Sequence, residues 1–239
     1  MDHEPALASL VAPARIAVGI TVVTLVLITV HALRRARPDG ARVLAWACVV
    51  VGVPATALSM TPFGTVTLLL LPLGVFLGLG LAVGSLFHAP TREAFESLDD
   101  GAVRTLLGYR ATFGAFLFAG AALDLFPPSF AWTAGLGDLA VGWLAHVAPG
   151  SIGRQGARGW RLLVHGVGLA DLLQVVFLAM TVVRPWLVAR AELGEVVLGP
   201  PLLLPWVGVP LMLAINLHGL RSAWRERSTE DGAPAPLAP

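Results

Sequence analysis

The sequence predicts an all-α integral membrane bundle of seven transmembrane helices, with the N-terminus outside and the C-terminus in the cytoplasm. Three observations carry that expectation. Of 239 residues, 56% are hydrophobic and 13% are charged, against about 25% charged in an average soluble domain. Seven apolar stretches are each long enough to cross a hydrocarbon core of about 30 Å as a helix. The arginines fall predominantly on one side of those stretches, as they do on cytoplasmic flanks.

The spans are placed near 11–33, 41–60, 64–88, 105–126, 130–148, 160–182 and 196–220. Turn and charge signals separate them, such as Arg34-Arg35-Ala36-Arg37-Pro38-Asp39-Gly40, Pro127-Pro128 and Pro149-Gly150-Ser151. All 16 basic residues are Arg. Counted along the chain, 13 of them lie in the loops after the first, third and fifth spans, with Arg110 just inside the fourth, or in the tail, and only Arg15, Arg184 and Arg190 fall on the opposite side. That bias requires an odd number of spans. Residues 1–227 therefore read as one seven-helix domain, and 228–239, rich in Pro, Ala and charge, as a disordered cytoplasmic tail.

The first span reads as a retained helix and not a cleaved signal, because Asp2 and Glu4 precede it and the Arg cluster follows it. Trp132, Trp160, Trp186 and Trp224 fall at span ends, where an aromatic belt would place them. In the third span Gly74, Gly78, Gly80 and Gly84 form two overlapping small-xxx-small patterns, which allow close approach of a partner helix. Pro200, Pro201, Pro205 and Pro210 each lack a backbone donor and predict a kinked or broken seventh span. The stretch from Pro90 to Arg104 holds Glu93, Glu96, Asp99 and Asp100 and predicts a short surface helix.

Composition also excludes functions. The near-balance of acidic and basic residues, with no long basic run, excludes nucleic-acid binding. With no Lys there is no Schiff-base anchor for retinal, which seven helices in this orientation would otherwise suggest. One cysteine, Cys48, permits neither an intrachain disulfide nor a Cys-based metal cluster. No P-loop, dinucleotide fingerprint, HExxH or Ser-His-Asp pattern occurs.

Two acidic residues sit where they are expensive. At 1.5 Å per residue, Asp138 lies about 12 Å into the fifth span and Asp171 about 16 Å into the sixth. In an antiparallel hairpin the two carboxyls would be level. Their surroundings echo one another, Gly135-Leu136-Gly137-Asp138-Leu139 and Gly168-Leu169-Ala170-Asp171-Leu172. An intramembrane carboxylate is by default a candidate functional site; at close approach two of them would share a proton and could carry protons or bind a cation. Gln174, three residues past Asp171, and Asn216 in the seventh span are candidate polar partners. The alternative is that each Asp braces helix packing.

Five histidines, His31, His88, His146, His165 and His218, lie near one membrane surface. They raise the option of a metal or haem, for which the His165–His218 pair is the first candidate because the sixth and seventh spans are consecutive. From Tyr109 to Arg221 the chain resembles an uncharacterised family of bacterial multi-pass membrane proteins. The resemblance is carried by Tyr109-Arg110, Gly114, Phe116-Leu117, Ala134-Gly135-Leu136-Gly137-Asp138, Gly142, Gly168-Leu169-Ala170-Asp171-Leu172, Pro205, Val209-Pro210 and His218. It implies the bundle and a bacterial inner membrane, with no assigned activity. The family pattern has Trp-Asn where this chain has Val164-His165. The topology is also that of sugar transporters with PQ-loop repeats, but no Pro-Gln dipeptide occurs.

Three functions follow as expectations. The first is a small proton- or ion-coupled transporter, or permease, using the midplane carboxylates. The second is a membrane redox or metal/haem-binding subunit using the histidines, and the third a non-catalytic membrane partner or sensor docking through the glycine face.

Overall fold

In the computed structural model the described residues are 4–59, 66–147, 154–192 and 204–231. Among them the chain is helical, as its composition requires, with no strand. The helices are α1 (Glu4–Ala36), α2 (Pro38–Ser59), α3 (Val66–Gly84), α4 (Ala89–Glu96), α5 (Asp100–Ala122), α6 (Pro128–Val147), α7 (Arg154–Leu178), α8 (Arg184–Glu192) and α9 (Val209–Asp231). A π-helical turn, Ala179–Val183, joins α7 to α8, and another, Leu204–Gly208, leads into α9.

Helix α9 is the centre of the packing. Seven consecutive residues from Pro210 to Asn216 are buried, so α9 presents an inner surface on every side, to α3, α4 and α7, while its leading π-turn meets α1, α2 and α3. The expected disturbance by proline takes the form of a π-turn at Pro205, with Pro210 in the first turn of α9, where neither ring nitrogen can donate. Pro200 and Pro201 lie outside the described residues. So does 232–239 of the expected tail, whereas 228–231 are helical as the end of α9.

Between α3 and α5 the short helix α4 is packed and not merely a solvated surface element. Thr91, Ala94 and Phe95 are buried, and the Phe95 ring stacks on His218 at 4.7 Å. Asp99 then starts α5, its side chain accepting from the Ala102 N–H at 2.7 Å, which satisfies one of the free donors of the first turn. At the opposite end of α5 the chain reverses through Asp124, the one non-glycine described residue with a left-handed backbone (φ 54°). Arg190 holds that turn: it pairs with the Asp124 carboxylate, donates to the Asp124 carbonyl at 3.2 Å, and lies 4.3 Å from the centroid of the Trp186 ring.

Among the described residues one uninterrupted helix, the 34 residues from Ala157 to Arg190, has the length and hydropathy of a membrane span. A second is reached if Pro72–Gly84 and Ala89–Glu96, bent by 80°, are taken together.

The glycine pattern of α3 is split between two uses. A Cβ on Gly74 would lie 2.1 Å from Trp206 Nε1, and one on Gly78 would lie 2.1 Å from Pro210 Cγ; nothing lies within 4 Å of such an atom on Gly80 or Gly84. The first two thus set the approach of α3 to the π-turn and to α9, and the last two leave an open face. Gly74→Ala and Gly78→Ala are expected to destabilise the fold by about 1–3 kcal/mol through overpacking, and Gly80→Ala and Gly84→Ala not at all. Thermal unfolding of the four variants in detergent measures this, and equal losses at all four sites would contradict the assignment.

Candidate functional site

The two acids of the sequence echo meet on one guanidinium. Arg110 Nε donates to Asp138 Oδ1 at 2.7 Å, Nη1 donates to the Gly168 carbonyl at 2.9 Å, and Nη2 donates to Asp171 Oδ2. Each of α5, α6 and α7 thus contributes one charged side chain. All three residues are buried, Arg110 completely, Asp138 to 7% and Asp171 to 9% residual exposure.

Local sequence explains how three charges reach one point. On α5 the inner stripe is Leu106, Leu107, Arg110, Phe113, Gly114 and Leu117, the spacing of three and four that defines one helix face. Arg110 lies in the middle of that stripe, so its side chain enters the bundle. On α6 the inner stripe is mostly small residues, with Ala131, Ala134, Gly135, Val141, Gly142 and Ala145 around Asp138. Small residues let backbones touch: a Cβ on Gly114 would stand 2.6 Å from the Gly135 carbonyl oxygen, and one on Gly142 would stand 2.9 Å from the Ala111 nitrogen.

Gly137 has a separate task. A Cβ there would lie 1.6 Å from Asp171 Oδ1, so the absence of a side chain at 137 is what admits the Asp171 carboxylate between α6 and α7. Gly168, one turn before Asp171, leaves room for Asn216 Oδ1 and Arg110 Nη1, which would lie 2.6 and 3.2 Å from a Cβ at that position. Gly137 and Gly168 are therefore the clearance that lets the charged groups converge.

Arg110 is the residue that sequence reasoning misplaced. It counts there among cytoplasmic flanks, yet it is the most buried charge among the described residues. The missed signal was its register: an Arg on the apolar stripe of its helix has no route to water except along the helix axis, and an intramembrane cation normally pairs with acids at its own depth. Gln174 is exposed and does not share the site. Three residues of helix leave it about 60° off the Asp171 direction, and the inner stripe of α7 passes instead through Val164, His165, Gly168, Asp171 and Leu172.

Asn216 binds neither carboxylate. Its Nδ2 donates to the Met212 carbonyl at 2.8 Å, which turns Oδ1 toward His165 Nδ1 at 3.2 Å. An amide oxygen only accepts, so His165 carries its proton on Nδ1 and has a bare Nε2. His218 is fixed by the same reasoning. Ser85 Oγ donates to the Ala82 carbonyl at 2.6 Å and so accepts from His218 Nε2 at 2.9 Å, leaving Nδ1 as a buried lone pair with no partner among the described residues.

His165 and His218 both line one cavity of about 100 Å³ at the α4 end of the bundle, between α4, α5, α7 and α9. They are held by separate partners. The other histidines do not join them: His88 Nδ1 bonds Thr91 Oγ1, His146 Nδ1 bonds the Gly142 carbonyl, and His31 is exposed. Among the described residues no group of three or more His, Cys, Asp or Glu is arranged to hold a metal.

Arg110 joined to two acids of opposite charge makes a sharp prediction. Arg110→Met strands two buried carboxylates and is expected to cost about 3–5 kcal/mol, whereas Arg110→Met with Asp138→Leu and Asp171→Leu recovers most of that loss. Arg110→Lys does not rescue, because an ammonium lacks the fork that reaches three acceptors on three helices. Denaturant unfolding in detergent micelles reads all three; a single Met variant as stable as the native chain would show that the triad is not a structural unit.

No curated protein and no solved structure matches the chain. Residues 101–222 match the family model of a domain of unknown function, DUF8737. The matched stretch holds Arg110, Asp138, Asp171, His165, Asn216 and His218 and spans just over half of the sequence, so the chain belongs to the DUF8737 family.

Proposed function

We propose that the chain is a seven-span protein of a bacterial inner membrane, N-terminus outside and C-terminus cytoplasmic. We further propose that it works as a small proton- or ion-coupled permease centred on Asp138, Arg110 and Asp171. Support for the membrane comes from an inverted distribution of polarity. Ile20 and Leu27 on α1, Trp46 and Val50 on α2, Phe76 on α3, Leu136 and Trp143 on α6, and Leu163 and Phe177 on α7 are all exposed, while Arg110, Asp138, Asp171 and Asn216 are buried. In water an apolar surface this extensive is a liability, and in lipid it is the required outer face. Support for seven is that α1, α2, α3, α5, α6, the α7–α8 rod and α9 each fall on one apolar stretch, with α4 turned 80° from α3.

The single observation that carries the permease reading is the charge count of the triad. One guanidinium faces two carboxylates, so with both acids ionised the buried site is one negative charge out of balance. One proton or one monovalent cation brings it to zero. Binding and releasing that charge is the event a coupled carrier needs, and three helices converge on the place where it happens.

A second reading, a non-catalytic membrane partner, is favoured by the open half of the α3 glycine face. Gly80 and Gly84 line an apolar groove of about 220 Å³ between α2 and α3, wide enough at two glycines for a partner helix to approach closely. Copurification in mild detergent from native membranes tests it, and a lone chain sinks it.

Alkaline phosphatase fused after residue 126 or 194 is expected to be active outside the cell, and a green fluorescent protein fused at the C-terminus to fluoresce inside; the reverse pattern overturns the orientation. For transport, the full chain is reconstituted into liposomes holding a pH-sensitive dye, under a potassium diffusion potential, with the low-molecular-weight fraction of bacterial cytosol as substrate probe. Proton movement above that of empty liposomes is expected, and a loss of at least tenfold in Asp138→Asn and in Asp171→Asn. Native chain indistinguishable from empty liposomes removes the permease reading.

A further inference from the structure

The cavity holding His165 and His218 does not reach the triad directly, since neither Asp138 nor Asp171 lines it. Its walls nevertheless lead there. His165 lines the cavity and bonds Asn216, and Asn216 Oδ1 lies against Gly168 beside Arg110 Nη1, which in turn holds both carboxylates. From cavity to triad lie two buried polar side chains, His165 at 3% and Asn216 at 0% exposure, and Gly168, whose missing side chain leaves Asn216 and Arg110 on the same clearance. In a bundle whose buried positions are mostly apolar, polar groups placed in succession cost stability at each step unless they serve a path.

The cavity is also suited to water. About 100 Å³ is room for several molecules at roughly 10–15 Å³ each, and three polar atoms in its lining residues, Trp160 Nε1, Arg161 Nε and His218 Nδ1, are buried with no partner among the described residues. Buried polar atoms are ordinarily satisfied by protein or by ordered water. Ion pairs between all four surrounding helices close its rim: Glu96 of α4 with Arg221 (3.0 Å) and Arg225 (3.1 Å) of α9, and Arg161 of α7 with Glu226 of α9 (2.5 Å) and Asp100 of α5 (3.7 Å). These pairs are partly exposed, so each is weak and separable at little cost.

We propose that this cavity is the cytoplasmic port of the triad, a hydrated vestibule that ends on the Nε2 edge of His165. The His165–Asn216 pair is the partition between vestibule and triad, and the rim ion pairs are the outer closure. The proposal rests on the permease reading, in which the α4 end faces the cytoplasm. An amide cannot relay a proton, so Asn216 positions His165 and separates the compartments; protons pass to the triad when the pair parts and water bridges the gap.

The test uses Ser222, which lines the cavity, as Ser222→Cys in a Cys48→Ala background, because Cys48 is the one native thiol. A charged, membrane-impermeant methanethiosulfonate is applied to inside-out and to right-side-out vesicles, and proton movement is then read in the dye-loaded liposomes described above. Labelling from the cytoplasmic face alone is expected, with the labelled protein at least tenfold slower than the same variant unlabelled. Failure to label from that face overturns the port, and so does full labelling that leaves an Asp171-dependent flux unchanged. If the unlabelled variant and the native chain both show no Asp171-dependent flux, the permease reading itself has failed, and the port falls with it.

Discussion

Three charged side chains share one buried point, and the rest of the bundle is arranged so that they can. Arg110 spends all three of its nitrogens on acceptors from two other helices, two carboxylates and the Gly168 carbonyl. Taking such groups out of water carries a desolvation cost that their attraction offsets only with good geometry. That geometry is strict, because a guanidinium is a planar fork and its acceptors have to lie on its edges. The triad therefore fixes the rotation of α5, α6 and α7 about their axes more tightly than apolar packing would, since an apolar stripe tolerates small rotations and a fork does not.

Small residues supply the clearance for this arrangement. Gly114, Gly135 and Gly142 bring α5 and α6 into backbone contact, and Gly137 opens the gap through which Asp171 enters. On the proposed membrane placement no hydrophobic drive pulls helices together, so close packing and interhelical polar contacts supply the association. The Asp–Arg–Asp triad and the glycine stripe are two halves of one solution: the stripe lets the helices approach, and the triad gives a reason to stay in register. Around it α9 serves as the common inner wall, buried on every side from Pro210 to Asn216 and meeting the triad's neighbourhood through Asn216 and Gly168.

The same wall separates two environments. On one side of α9 the α2–α3 groove is apolar and open past Gly80 and Gly84. On the other, the cavity at the α4 end is lined by paired charges and two imidazoles, each with a nitrogen free of protein partners among the described residues. Both imidazole tautomers follow from neighbouring hydroxyl and amide groups that have already spent their donors. The polar features are thus distributed with a direction, from the α4 end inward to the triad.

The sequence by itself determined the helical class, the turn at Pro127-Pro128, the proline-bearing start of the last long helix and the two acids in neighbouring helices. Those properties are legible because each depends on residues close together in the chain: apolar run length, a missing N–H, a 1.5 Å rise. It also singled out Gly74, Gly78, Gly80 and Gly84 as one pattern, where the tertiary structure divides them, because whether a glycine is filled or open depends on what another helix places opposite it. Tertiary structure alone decided that Arg110 points inward to join Asp138 and Asp171, that Gln174 stays outside, and that Asn216 serves His165 and not the acids. Near the end of a span an Arg can extend along the helix axis to water or turn across it to a carboxylate. The choice is made by the depth of acids on other helices, which no local window of sequence contains.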